Sequence, residues 1–222
     1  MRVDDIRVWD LPTRLFHWCL AVLVIAAIVT AHVGGNALEW HFRIGYSILA
    51  LVGFRLAWGF TGGRYARFSS FVRRPSAILA AARGKTPADG SPGHNPLGGL
   101  SVLAMLALIG AQASAGLFAN DDIASEGPLA RLVSKAASDA LTSMHKLNEK
   151  LIIALIVLHV IAIAFYRWRK GQDLVSPMIT GYKQGIDPSM ASRDDAALRL
   201  RAALVLAACA AIVWLVVKTP AS

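Results

Sequence analysis

The sequence predicts an all-α integral membrane helical bundle, a four-helix core plus a fifth transmembrane helix. Two observations carry this prediction. The 222 residues are 55% hydrophobic and 17% charged, too little charge for a water-facing domain of this size. Apolar runs then recur five times, at about residues 15–33, 43–60, 97–118, 147–166 and 200–217. Each is near the ~20 residues that a helix needs to cross a hydrocarbon layer. One bundle accommodates all five, so residues 1–222 read as a single domain.

The first run follows MRVDDIRVWDLPTR, a long flank of mixed charge, and no clean small-x-small cleavage site follows its apolar core. It therefore reads as a retained helix and not as a signal peptide. Pro12 suits the first turn of that helix, where a missing N–H costs nothing. The second run opens at His41 in HFRIGYSILALVGFRLAWG. Residues 61–96 then form an Arg-, Gly-, Pro- and Ser-rich loop in which RFSSFVRRPSAILAAARGK is expected to lie on the membrane surface as a short amphipathic helix. The third run carries Gln112 and Ser114, polar groups suited to interhelical hydrogen bonds or to contact with a bound cofactor. Residues 119–146 carry Asp121, Asp122, Glu126 and Asp139 and read as a surface helix or cap. The fourth run holds HKLNEKLIIALIVLH. The fifth, RAALVLAACAAIVWLVV, lacks histidine, and its small residues suit close helix packing or the docking of another subunit.

Net charge is +9, and its placement is informative. Of the 23 Lys and Arg, only Arg43, Arg131, Lys135, Lys146, Lys150 and Lys218 fall on one side of the predicted membrane. The rest cluster before the first span, after the second and between the fourth and fifth. The positive-inside rule places that majority, and the N-terminus, in the cytoplasm. Nucleic-acid binding is not indicated, because the charge flanks membrane spans and has no interleaved aromatic platform. Trp9, Trp18, Trp40, Trp58 and Trp168 lie near span ends and read as an interfacial aromatic belt. Cys19 and Cys209 form no C-x-x-C or C-x-x-C-H pattern and read as small buried hydrophobes.

The six histidines carry the chemistry. His145 and His159 are fourteen residues apart on one apolar helix, so they share a face and lie roughly 21 Å apart along its axis. Intramembrane histidines are costly and usually functional. Two of them toward opposite surfaces suggest two metal centres, and with iron as the metal, two haems. A low-spin b haem takes two neutral imidazoles from different helices. On the cytoplasmic half, the helical partner for His159 is His17. On the outer half, His145 has two candidates, His41 and His32, and spacing alone does not separate them. Gly45, one turn after His41, leaves room for a flat macrocycle. His32 and His94 read first as anchoring polar groups at the interface. Arg14, Arg55, Arg43 and Lys146 read first as headgroup anchors, with haem propionates as the alternative partner.

VWDLPTRLFHW, HxxxGYxxLxxxxFRLxWG, HNPLGG and the helix bracketed by His145 and His159 resemble the bacterial cytochrome b561 family. The resemblance covers about residues 5–185 and is nearest to the b-type cytochrome subunits of nickel–iron hydrogenases. It implies a four-helix di-haem core holding two haem b, with axial pairs His17/His159 and His41/His145. It also implies a multi-pass protein of the bacterial inner membrane, in contact with lipid. Its function would be transmembrane electron transfer between a periplasmic redox partner (a hydrogenase or a cytochrome c) and the quinone pool. The alternatives are a stand-alone superoxide:quinone oxidoreductase of the same fold and a haem-free metal transporter. The nearly bare midplane of the spans argues against the transporter.

Overall fold

The computed structural model describes residues 5–83, 92–123, 125–184 and 187–218. Arg2, Gly84 and Lys85, invoked in the basic flanks and loop, lie outside them. Five helices are long and apolar enough to cross a membrane: α1 (Leu11–Val33), α2 (Ala37–Thr61), α5 (Pro96–Gly116), α6 (Lys135–Arg169) and α8 (Ala196–Lys218). Between them lie the short helices α3 (Phe68–Phe71), α4 (Pro75–Ala82) and α7 (Val175–Thr180). The described strands are β1 (Asp5–Arg7) and β2 (Tyr182–Gln184), paired antiparallel with Ile6 opposite Lys183. The chain is thus an all-α, multi-pass membrane protein. Leu15, Val22, Ile25, Leu158, Ile161, Leu204 and Ile212 stand exposed on its spans, as lipid-facing side chains do.

Local chemistry sets the boundaries. Asp10 caps α1 by accepting the Thr13 N–H at 2.8 Å. Gly34 and Gly35, at φ +68° and +53°, turn the chain into α2 within three residues. The expected surface helix is broken in two, because Arg74 precedes Pro75 and is held extended at φ −62°, ψ 148°. The expected cap before the fourth span is instead partly its continuation. No Gly or Pro interrupts residues 135–169, so α6 runs unbroken for 35 residues until Gly171 turns at φ +63°.

The described chain comprises two compact units. Of the described residues, the first holds 5–17, 55–83, 92–104, 157–184 and 187–205, and the second 18–54, 105–123, 125–156 and 206–218. In the first unit, Ile6, Val8, Trp9 and Tyr65 form a core with Met178 packed against it. The ribbon is tied down by Val8 N–H to Gly181 carbonyl at 2.8 Å and Ser192 N–H to Arg7 carbonyl at 2.8 Å. Arg7 bridges Asp194 and Tyr182, and Arg199 also holds Asp194 at 3.0 Å. In the second unit, Val24, Ile48, Val52, Ile109 and Ile152 form the buried core, drawn from four different spans.

Candidate haem-binding sites

In the second unit, α2 and α6 bring His41 and His145 together, with ring centroids 6.1 Å apart and planes at 82°. His41 Nδ1 lies 2.9 Å from the Ala27 carbonyl, and His145 Nδ1 lies 2.9 Å from the Gln112 carbonyl. A carbonyl only accepts, so each Nδ1 carries the proton and each Nε2 keeps its lone pair. This is how a ligating imidazole is usually oriented, by a hydrogen bond from its far nitrogen. Asn148, three residues beyond His145 and 7% exposed, donates to the Leu108 carbonyl at 2.8 Å and to Gln112 Oε1 at 2.9 Å. Gln112 therefore holds α6 twice, by its carbonyl at His145 and by its side chain at Asn148. A Cβ added at Gly45 would meet no atom within 4 Å, which leaves open space one turn from His41.

His32, the other outer candidate, is not brought to His145. It sits on the exposed end of α1 and pairs with Glu149 at 2.8 Å. Glu149 is also within electrostatic reach of His145.

In the first unit, α1 and α6 bring His17 and His159 together, with ring centroids 6.5 Å apart and planes at 51°. Beside them lies a polar cluster that contradicts several sequence expectations. Arg55 is 2% exposed and so is not a headgroup anchor. Its guanidinium lies over Phe68 and Phe71, at 5.1 and 5.8 Å from the ring centres. Trp58 and Trp9 belong to the interior and not to a belt: Trp58 is wholly buried, and its Nε1–H reaches Asp10 Oδ1 at 3.3 Å. Trp18, Trp40 and Trp168 are exposed, as a belt requires. His94 is likewise not a surface anchor. Its ring packs edge-on against Trp9, with centroids 4.7 Å apart, and at a tilt against Phe71, at 4.8 Å. Burial, then the Arg55 charge and the nearby His17 and His159, push its pKa down to about 3, so it is neutral at physiological pH.

The HNPLGG segment explains how His94 reaches this place. Asn95 caps α5 by accepting the Gly98 N–H at 2.6 Å, and its amide donates to the Tyr166 hydroxyl at 2.7 Å. A Cβ at Gly99 would come within 2.8 Å of the Phe71 carbonyl, so only glycine lets the start of α5 close on Phe71. Of the other basic candidates, Arg14 donates to the Ile179 carbonyl, whereas Arg43 pairs with Glu39 over the Trp40 ring and behaves as an interfacial anchor. Lys146 is exposed. Cys19 is exposed and Cys209 half-buried, both as free thiols, so the buried reading fails for Cys19.

The family description "Prokaryotic cytochrome b561" matches residues 8–181, most of the chain. The chain belongs to the prokaryotic cytochrome b561 family. Comparison with curated proteins and with solved structures gives no match. Membership makes this cytochrome a membrane electron-transfer protein that uses haem b.

The residues present fit that group. Among the described residues, no cluster of three or more His, Cys, Asp or Glu could hold a metal ion on its own. Two imidazoles brought together from different helices suit a macrocycle that brings four nitrogens of its own. A metal–imidazole bond is about 2 Å, so two such bonds plus two half-rings span roughly 6 Å between ring centres. The cytochrome's pairs, at 6.1 and 6.5 Å, have that spacing.

Proposed function

We propose that this cytochrome carries electrons across the bacterial inner membrane between a periplasmic redox partner and the quinone pool, with its N-terminus in the cytoplasm. His17 and His159 would hold one haem b, and His41 and His145 the second. The observation that carries this reading is the pairing itself: four imidazoles from three spans, meeting two by two at metal-bridging distance. Haem b, when bound, supplies a one-electron iron couple. An imidazole from each of two residues holding the iron would disfavour chemistry on oxygen there.

The chain's own residues then have defined tasks. The carbonyls of Ala27 and Gln112 fix the tautomers of His41 and His145, leaving Nε2 to ligate. The aliphatic core around Val52, Ile109 and Ile152 excludes water in the same unit. The quinone requires an amphipathic surface. An open groove of about 380 Å³ is lined by the apolar Val160, Ile163, Ala164 and Leu174 and by the charged Arg167 and Asp173. It begins one residue beyond His159 on α6.

Absorption spectroscopy of the purified protein tests the reading. A Soret band and a sharp α-band on dithionite reduction are expected, and their absence would sink it. Reduction of a soluble quinone by the pre-reduced protein, slowed by a bulky substitution at Ala164, would support the groove. Unchanged kinetics would place the quinone elsewhere.

A further inference from the structure

Among the buried polar atoms of the first unit that lack a hydrogen-bond partner among the described residues are Arg55 Nη1 and His94 Nδ1. Both side chains border one ring, Phe71, with the guanidinium carbon at 5.8 Å and the imidazole centre at 4.8 Å. Both are close enough to interact electrostatically, and His94 does so with His17 and His159 as well. Asp10 acts on Arg55 through space, yet no ion pair within 4 Å joins the two among the described residues. Asp10 Oδ1 is already engaged by the Thr13 N–H and the Trp58 indole. A buried guanidinium N–H with no acceptor is costly, and so is a buried imidazole nitrogen. One partner satisfies both when the imidazole carries its proton on Nδ1. It must be an acceptor, because arginine only donates, and anionic, because the guanidinium is permanently charged. A carboxylate meets both needs and suits the planar donor fork of arginine.

We propose that Arg55 and His94 together clamp a propionate carboxylate of the haem held by His17 and His159. The proposal rests on the haem reading of that pair. It makes Arg55 a positioning and charge-compensating residue: its cation stabilises the reduced, more electron-rich state of that haem and raises its potential. The second unit has no counterpart among its described residues, so the effect is confined to one haem.

The test uses the intact cytochrome with haem carrying carbon-13 in its propionates, followed by redox-difference infrared spectroscopy and potentiometric titration. In the wild type, a carboxylate band that responds to the label is expected. Arg55→Gln should move that band and shift the ratio of reduced to oxidised first haem about tenfold, or about 59 mV downward for a one-electron couple. His94→Gln should move the band with a smaller shift in potential, and the second haem should be unaffected in both. If Arg55→Gln does not assemble, Arg55→Lys and His94→Gln carry the same readouts. Both haems present with band and potential unmoved would overturn the clamp. A band that moves in the variants but ignores the label would assign the pocket to another anion and overturn it too. No haem in the wild type would instead overturn the reading beneath it.

Discussion

His41 and His145 each donate from Nδ1 to a backbone carbonyl, and the helix bearing His145 is pinned again by Asn148 to Gln112. His17 and His159 act instead on His94, a histidine held neutral by burial and by the buried Arg55 guanidinium. The charge that acts on His145 is negative: Glu149, which is paired with the exposed His32. The two histidine pairs have near-equal ring spacing, but the charges near them differ: Arg55, with Asp10 acting on it, in the first unit and Glu149 in the second. Ligand geometry sets where a haem is held, and surrounding charge sets how readily it takes an electron. The contrast predicts that the haem of the first pair has the higher potential. Electrons entering at the second pair would then run downhill to the first.

The largest expected effect comes from removing a ligand. His159→Ala should lose one haem per chain and His145→Ala the other, each leaving about half the wild-type content by haem extraction. Loss of both haems from either variant would mean that the pairs are not independent sites. Next in size is the charge contrast. Glu149→Gln should raise the potential of the second haem by about a tenfold change in its redox ratio, roughly 59 mV, and leave the first unmoved. A shift in both haems, or in neither, would break the comparison.

Asn148→Leu removes two interhelical hydrogen bonds in the second unit, at about 0.6–2 kcal/mol for such contacts in membrane proteins. Haem of the second pair should then dissociate at lower temperature, with the first pair's α-band unchanged. The smallest effect concerns the ribbon of the first unit. Burial favours the neutral acid at Asp194, but Arg199 and Arg7 outweigh it and hold the carboxyl below the usual range. A depressed carboxyl pKa stabilises the fold above the unfolded value, about 3.9, and that contribution disappears as pH falls through the folded value. Acidification below about pH 4 should therefore loosen β1 from β2, and Asp194→Asn should abolish that part of the pH dependence. Thermal melts across pH 3–6 would show it.

Much of this architecture was legible in the chain. Five apolar runs marked five spans, because hydrocarbon leaves helices no other way to satisfy their backbone. The spacing of His145 and His159 marked one helix as the carrier of two histidines, and the structure gives each of them a histidine neighbour from another span. The start of α6 was less legible, because residues 135–146 are polar and nothing in hydropathy distinguishes a helical cap from the extension of a span. The carbonyls of Ala27 and Gln112 leave no mark on side-chain identity, so the tautomer control at the second pair is invisible in sequence. Arg55 misled for a different reason. An arginine near a span end usually snorkels to headgroups, and only the fold shows Phe68 and Phe71 closing over it. Asn148 did carry a signal, an amide three residues from a candidate ligand on the same helix face. His94 carried one too, set immediately before the Asn-Pro start of α5.

A potentiometric titration of the α-band in the wild type and in His145→Ala addresses both the pairing and the contrast. Two one-electron waves of equal amplitude are predicted in the wild type, and only the higher-potential wave in the variant. A single wave in the wild type, or survival of the lower wave in His145→Ala, would contradict it.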